Sequence, residues 1–231
     1  MRNTSKAATL ESKFPLLAIE NNCIISKDAD VTVCFKVRLP ELFTVASAEY
    51  EAIHSAWFKA IKTLPDFTVV HKQDWFVKEN YSPDLLKEDQ SFLSKSFERH
   101  FNERPFLNHY CYLFITKTSK ERMRMQSNFS SLCKGKLIPK DIKDKEVINR
   151  FMEAVDQFER IMNDSGYIQM DRMTANEISG TAEQSGILEQ YLTLSRELNP
   201  SLQDIKLGSE EMRIGIKRIS MHTLSDTDDL P

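Results

Sequence analysis

The apolar positions of this chain change their period several times, and each change marks an element. In VTVCFKVRL, residues 31 to 39, Val31, Val33, Phe35, Val37 and Leu39 fall on one face and Thr32, Cys34, Lys36 and Arg38 on the other. A period of two over such a run predicts a half-buried strand. Ahead of it, FPLLAI and CIISK flank Asn21 and Asn22, a pair that tolerates the positive φ of a tight turn, so a β-hairpin is expected there. The period then becomes helical: Tyr50, Ile53, Trp57, Ile61 and Leu64 recur at three and four residues. Ser47 is the expected N-cap, Glu49 and Glu51 favour the first turn, and Pro65 stops the helix.

FTVVHKQDWFV, residues 67 to 77, returns to β-branched and aromatic content and predicts a second strand. SPDLLKEDQSFLSKSFERHFNERP predicts a helical insertion, with Phe92, Leu93, Phe97 and Phe101 on one side and Pro105 as its stop. HYCYLFITKT, residues 109 to 118, is the third expected strand. EVINRFMEAVDQFERIMNDSG then sets Ile148, Phe151, Val155, Phe158 and Met162 on one helix face and ends at Gly166, and YIQMDRM supplies a fourth strand.

Strand, helix, strand, insertion, strand, helix, strand is the split βαβ order of ferredoxin-like folds. The expected class is therefore α+β, with the leading hairpin extending the sheet and the helices carrying Trp57 and Phe158 on one face of it. Residues 1–13 read as a flexible leader, 14–174 as the ferredoxin-like domain and 175–200 as a helical connection through ILEQYLTLSREL. Residues 201–231 read as the start of a second β-containing unit, turning at Gly208 and Gly215.

Composition narrows the function classes. The chain has 231 residues, 41% of them apolar, with 34 acids against 31 bases, which describes an ordinary globular protein, neither disordered nor polycationic. Contact with nucleic acid or membrane must then be local. No apolar run approaches the roughly 18 residues of a spanning helix, and no export signal is expected. The four cysteines, Cys23, Cys34, Cys111 and Cys133, form no CxxC pair, and three lie in apolar strand-like runs, which suits reduced thiols in the cytoplasm.

Glycine occurs only at 135, 166, 180, 186, 208 and 215, so neither a GxxxxGK[ST] nor a GxGxxG loop exists in these residues. His109 and Cys111 lack a second ligand pair at zinc-like spacing. No catalytic residue, metal or cofactor is expected in this chain. Two features remain. Lys36 and Arg38 lie on the polar face of the first long strand beside the aromatics Tyr110, Tyr112 and Phe114 of the third, a combination that resembles an RNA-stacking platform. The third strand is, however, apolar on both faces, as a strand covered on both sides would be, and protein contact is the favoured use. The other feature is the stretch 117–145, which holds seven Lys and two Arg against Glu121, Asp141 and Asp144. Its bases, among them Arg122, Arg124, Lys134 and Lys136, suit either a solvated loop or attraction to lipid headgroups, DNA or an acidic protein.

The runs FPLLAIENNCIISKDADVTVCFKVRLPELFTVASAEYEAIHSAW, HFNERPFLNHYCYLFITKT and HTLSDTDDLP resemble the N-terminal region of the TraG proteins of conjugative transposons, which are similar to the large ATPases of type IV secretion. The resemblance runs from about residue 10 to the end and rests on overall texture, so it carries no catalytic residue with it. It implies a non-catalytic N-terminal module for DNA transfer, with ATP and Mg bound only in a later motor domain. Its implied partners are membrane proteins of the conjugation channel and other subunits of the same ATPase, at the cytoplasmic side of the inner membrane. A nucleic-acid-binding ferredoxin-like module, with direct DNA contact, is the alternative. Without a phosphate loop, this chain alone is expected neither to bind nor to hydrolyse ATP. Calorimetric titration with Mg-ATP should show no binding, and micromolar affinity would overturn the expectation.

Overall fold

A computed structural model describes residues 14–40, 45–80, 91–102, 104–118, 145–196, 204–208, 211–220 and 222. The expected N-terminal hairpin is present: β1 (Leu16–Glu20) and β2 (Cys23–Ser26) pair antiparallel across Asn21 and Asn22, whose φ angles are 50° and 61°. Two successive left-handed residues are what a twist-matched two-residue turn requires. A second turn, in which the Ser26 hydroxyl accepts from the Asp30 N–H at 3.0 Å, leads into β3 (Val31–Arg38). Leu39, expected on the buried face, lies beyond the end of β3 and is exposed.

α1 (Ser47–Thr63) begins one residue earlier than its sequence signal, with Ala46 at the N-cap position. Ala46 has no polar side chain to cap with, so the stabilising contact runs the other way: its N–H donates to Glu49 Oε2 at 2.8 Å. The buried face of α1 is also rotated from expectation. Ala56 and Ala60 are buried and Ile53 and Trp57 partly so, while Tyr50 and Ile61 are exposed. Ala60 joins the hydrophobic core.

β4 (Thr68–Asn80) and β5 (Pro105–Lys117) are each longer than the sequence indicated, and between them lies α2 (Phe92–Asn102). α3 (Lys145–Asp164) follows, ending in a turn with Gly166 at φ 76°, and then β6 (Gln169–Arg172). The strands pair in the order β1-β2-β3-β5-β4, with β6 on β3, and every pairing is antiparallel. With α1 between β3 and β4 and α3 between β5 and β6, this α+β connectivity is compatible with the split βαβ order.

Alternation places Val33, Phe35 and Val37 of β3 beside Ile115, Leu113 and Cys111 of β5 on one face, where they meet Phe151, Val155, Phe158 and Met162 of α3. Trp57 of α1 meets the Phe158 ring edge-on at 6.1 Å between centroids, so both helices share that face and one core.

The chain divides into two compact units, Met1–Met173 and Thr174–Pro231. The second contains α4 (Ala175–Ser179), α5 (Ile187–Thr193) and a sheet of β7 (Ile205–Leu207), β8 (Met212–Ile214) and β9 (Lys217–Ile219). α4 has no periodic signal in the sequence, but Thr174 and Glu177 form a capping box: Glu177 Oε2 accepts from the Thr174 N–H at 2.8 Å. α5 is shorter than expected and closes at Leu194, which is left-handed at φ 49°. Gly215, at φ 57°, turns β8 into β9. No helix among the described residues is long and apolar enough to cross a membrane.

Removing a fully buried aromatic leaves a cavity, so Phe158→Ala should cost about 3–5 kcal/mol in urea unfolding. Trp57→Ala should cost less, because Trp57 is only partly buried. Equal costs would show that Trp57 lies deeper than this packing allows.

Candidate interaction surface

β4 and β5 pair over 13 residues, from Thr68 opposite Lys117 to Asn80 opposite Pro105. β3 accompanies β5 only as far as Val37 opposite Cys111. Beyond that point residues 75–80 and 105–110 continue as a two-stranded ribbon, with α2 in the connection at its end. A ribbon without a third strand is marginal on its own, so its cross-strand contacts carry weight, each about 0.2–1 kcal/mol.

One face of the ribbon is tied by Asp74, which accepts from His109 Nε2 at 2.8 Å and from the Lys72 ammonium. The His109 ring in turn stacks on Phe76, directly opposite it, at 4.7 Å and 10°. On the other face the Tyr110 hydroxyl donates to Glu79 Oε1 at 2.8 Å, and Asn108 Nδ2 donates to Glu79 Oε2 at 2.9 Å. His109 is therefore a ribbon brace, and no group of three or more His, Cys, Asp or Glu among the described residues is placed to hold a metal ion.

The electrostatics follow from burial and these partners. Burial raises the Asp74 carboxyl, but hydrogen bonds from Lys72 and His109 outweigh it and hold the group below its ordinary value. Burial pushes the Cys34 thiol up to about 12, with a smaller push from Cys23. Cys111 rises to about 11, again through burial, with Lys72 opposing. Thiols shifted this way are poor nucleophiles at neutral pH. Their surroundings fit a packing role.

The expected surface residues are divided by the fold. Lys36 and Tyr112 are direct cross-strand neighbours on the face away from α1 and α3, and Cys34 opposes Phe114 on the same face. Tyr112 and Phe114 are only 4% and 8% exposed, and Lys36 and Tyr110 are half-buried. Arg38 is exposed and pairs with Asp171 across the β3–β6 ladder at 2.7 Å. An open pair of this kind contributes little. Arg122, Arg124, Lys134 and Lys136 lie outside the described residues.

The apolar groups that do reach the surface are elsewhere. Phe92, Leu93 and Phe97 of α2 are 84%, 77% and 64% exposed, and Phe76, Phe106 and Leu107 of the ribbon are exposed as well. The stripe on α2 is visible in the sequence as helical spacing, but spacing alone does not say whether a stripe is covered. The available signal is its place outside the strand-helix order. In the second unit, Lys206, Leu207, Gly208, Glu211 and Arg213 line a shallow hollow. Glu211 there is paired with Arg213 at 2.6 Å and Arg218 at 3.4 Å.

A family model described as "Domain of unknown function, B. Theta Gene description (DUF3875)" matches residues 3–55, a span that takes in β1, β2, β3 and the first half of α1. No curated protein matches the chain.

Because the Asp74 carboxyl is held below its ordinary value of 3.8, its contribution is present above that pH and is lost as pH falls through the folded value. Asp74→Asn should therefore be less stable than wild type at pH 6, by about 1 kcal/mol or less given its partial exposure. The gap should close in acid. A gap independent of pH would mean that the charge of Asp74 does not matter.

Proposed function

We propose that this chain is the N-terminal, non-catalytic module of a conjugation ATPase of the type IV secretion kind, docking the motor onto channel components and neighbouring subunits during DNA transfer. The observation that carries the reading is the apolar stripe of Phe92, Leu93 and Phe97, presented on α2 at the end of the β4–β5 ribbon. Large apolar side chains grouped on an exposed helix are the signature of a surface meant for another macromolecule. The resemblance of three sequence runs to the TraG N-terminal region supplies the identity of the assembly.

On this reading the module works at the cytoplasmic side of the inner membrane and binds no nucleotide itself. ATP and Mg belong to the downstream motor domain that the resemblance implies. The basic bias of residues 117–145 supplies a second, electrostatic contact. The burial of Tyr112 and Phe114 favours protein contact over base stacking, since stacking requires an open ring face.

The triple substitution Phe92→Ser, Leu93→Ser and Phe97→Ser should lower conjugative transfer from a donor cell by about tenfold or more, as loss of an aromatic anchor does at an interface. The melting temperature should hold, because these side chains are exposed. Full transfer by a normally folded variant would overturn the docking role of α2.

A further inference from the structure

Among the described residues, β4 is an edge strand. It runs 13 residues, pairs with β5 along one side without a register shift, contains no proline, and has no strand on its other side among the described residues. Proline, bulges and short length, three of the protections of an edge, are absent from β4; it does carry charges, but of both signs, Lys72 and Lys78 with Asp74 and Glu79. Such an edge leaves a row of N–H and C=O groups directed at whatever lies beside it.

We propose that this edge pairs with the β4 of a second copy of the chain, antiparallel, with the two-fold axis at Gln73. Residues facing each other across an antiparallel pair share a sheet face, so the axis of a symmetric pair must pass through a residue position. An axis at Asp74 sets that carboxylate against itself, and one at Trp75 sets Lys72 against Lys78. An axis at Gln73 sets Lys72 of each copy opposite Asp74 of the other, twice by symmetry. The same register brings His71 opposite Trp75, Val70 opposite Phe76 and Val69 opposite Val77, and it pairs Thr68 through Lys78. An axis at Phe76 also joins opposite charges, Asp74 with Lys78, but pairs only Lys72 through Asn80. Charge complementarity and length of overlap together select Gln73. Phe76 and Val69, both exposed in one copy, gain cross-strand neighbours in Val70 and Val77.

The inference rests on the β4 edge and not on the docking of α2, and it stands or falls separately. Sedimentation equilibrium of the full 231-residue chain should show a monomer–dimer equilibrium. Lys72→Glu sets a second carboxylate opposite Asp74 of the other copy, and Asp74→Lys sets two ammonium groups together, so each variant alone should weaken the dimer by about tenfold or more. An equimolar mixture of the two variants restores opposite-charge pairing between chains and should recover the dimer, which no effect within one chain can do. As a second readout, Gln73→Cys places a thiol on the axis, and oxidation should crosslink it to its own copy while Lys78→Cys does not crosslink. A wild type that stays monomeric at its solubility limit overturns the proposal. So does a dimer indifferent to both charge reversals, a mixture that fails to recover, or equal crosslinking at the two cysteine positions.

Discussion

Both edges of β3 are occupied, and the rest of the first unit is arranged around that fact. β5 runs along one edge for most of its length, while the other edge is shared: β2 takes Val31 to Val33 and β6 takes Phe35 to Arg38. At the junction Cys34 pairs with neither β2 nor β6, and its carbonyl accepts from the Met173 N–H at 2.9 Å. With hydrogen bonds satisfied on both sides, β3 buries Val33, Cys34 and Phe35 completely at no cost in orphaned backbone groups. Val33 and Phe35, with Val37, then set the face onto which α1 and α3 pack.

Arg172 joins the short strand β6 to that packing. Its guanidinium reaches Asp156 at 2.5 Å and Glu159 at 3.0 Å on α3, and it lies over the Phe35 ring at 5.5 Å. Only partly exposed, this charge-assisted pair is screened less than the open Arg38–Asp171 contact. A strand of four residues has few ladder bonds to hold it. One well-placed arginine fastens it to both the helix layer and the central strand.

Much of this fold is legible because burial writes a period into the chain. The alternation of β3 from Val31 to Val37 and the stripe from Phe151 to Met162 each describe one face against one core, and both faces form, although Leu39 falls beyond the strand and Cys34 on the opposite face is buried too. The face of α1 is harder to read because its buried positions are Ala56 and Ala60, whose small side chains carry almost no apolar signal. The start of β5 is obscured because Pro105 reads equally as the stop of a helix and as the first residue of a strand, a position where a missing N–H is tolerated. The braces of the ribbon are beyond reach for a different reason. Asp74 with His109, and Glu79 with Tyr110, are neighbours only once the β4–β5 register is known, and no local spacing encodes that register.

The shared edge of β3 also sets an order of events at the ribosome. β2 precedes β3 in the chain and fills its half of the edge as soon as both strands emerge. The other half waits for β6, whose Asp171 lies 133 residues after Arg38. At synthesis rates of about 5–20 residues per second, that interval is on the order of ten seconds. Through it that half of the β3 edge, from Phe35 to Arg38, has yet to receive the strand that pairs with it in the finished protein.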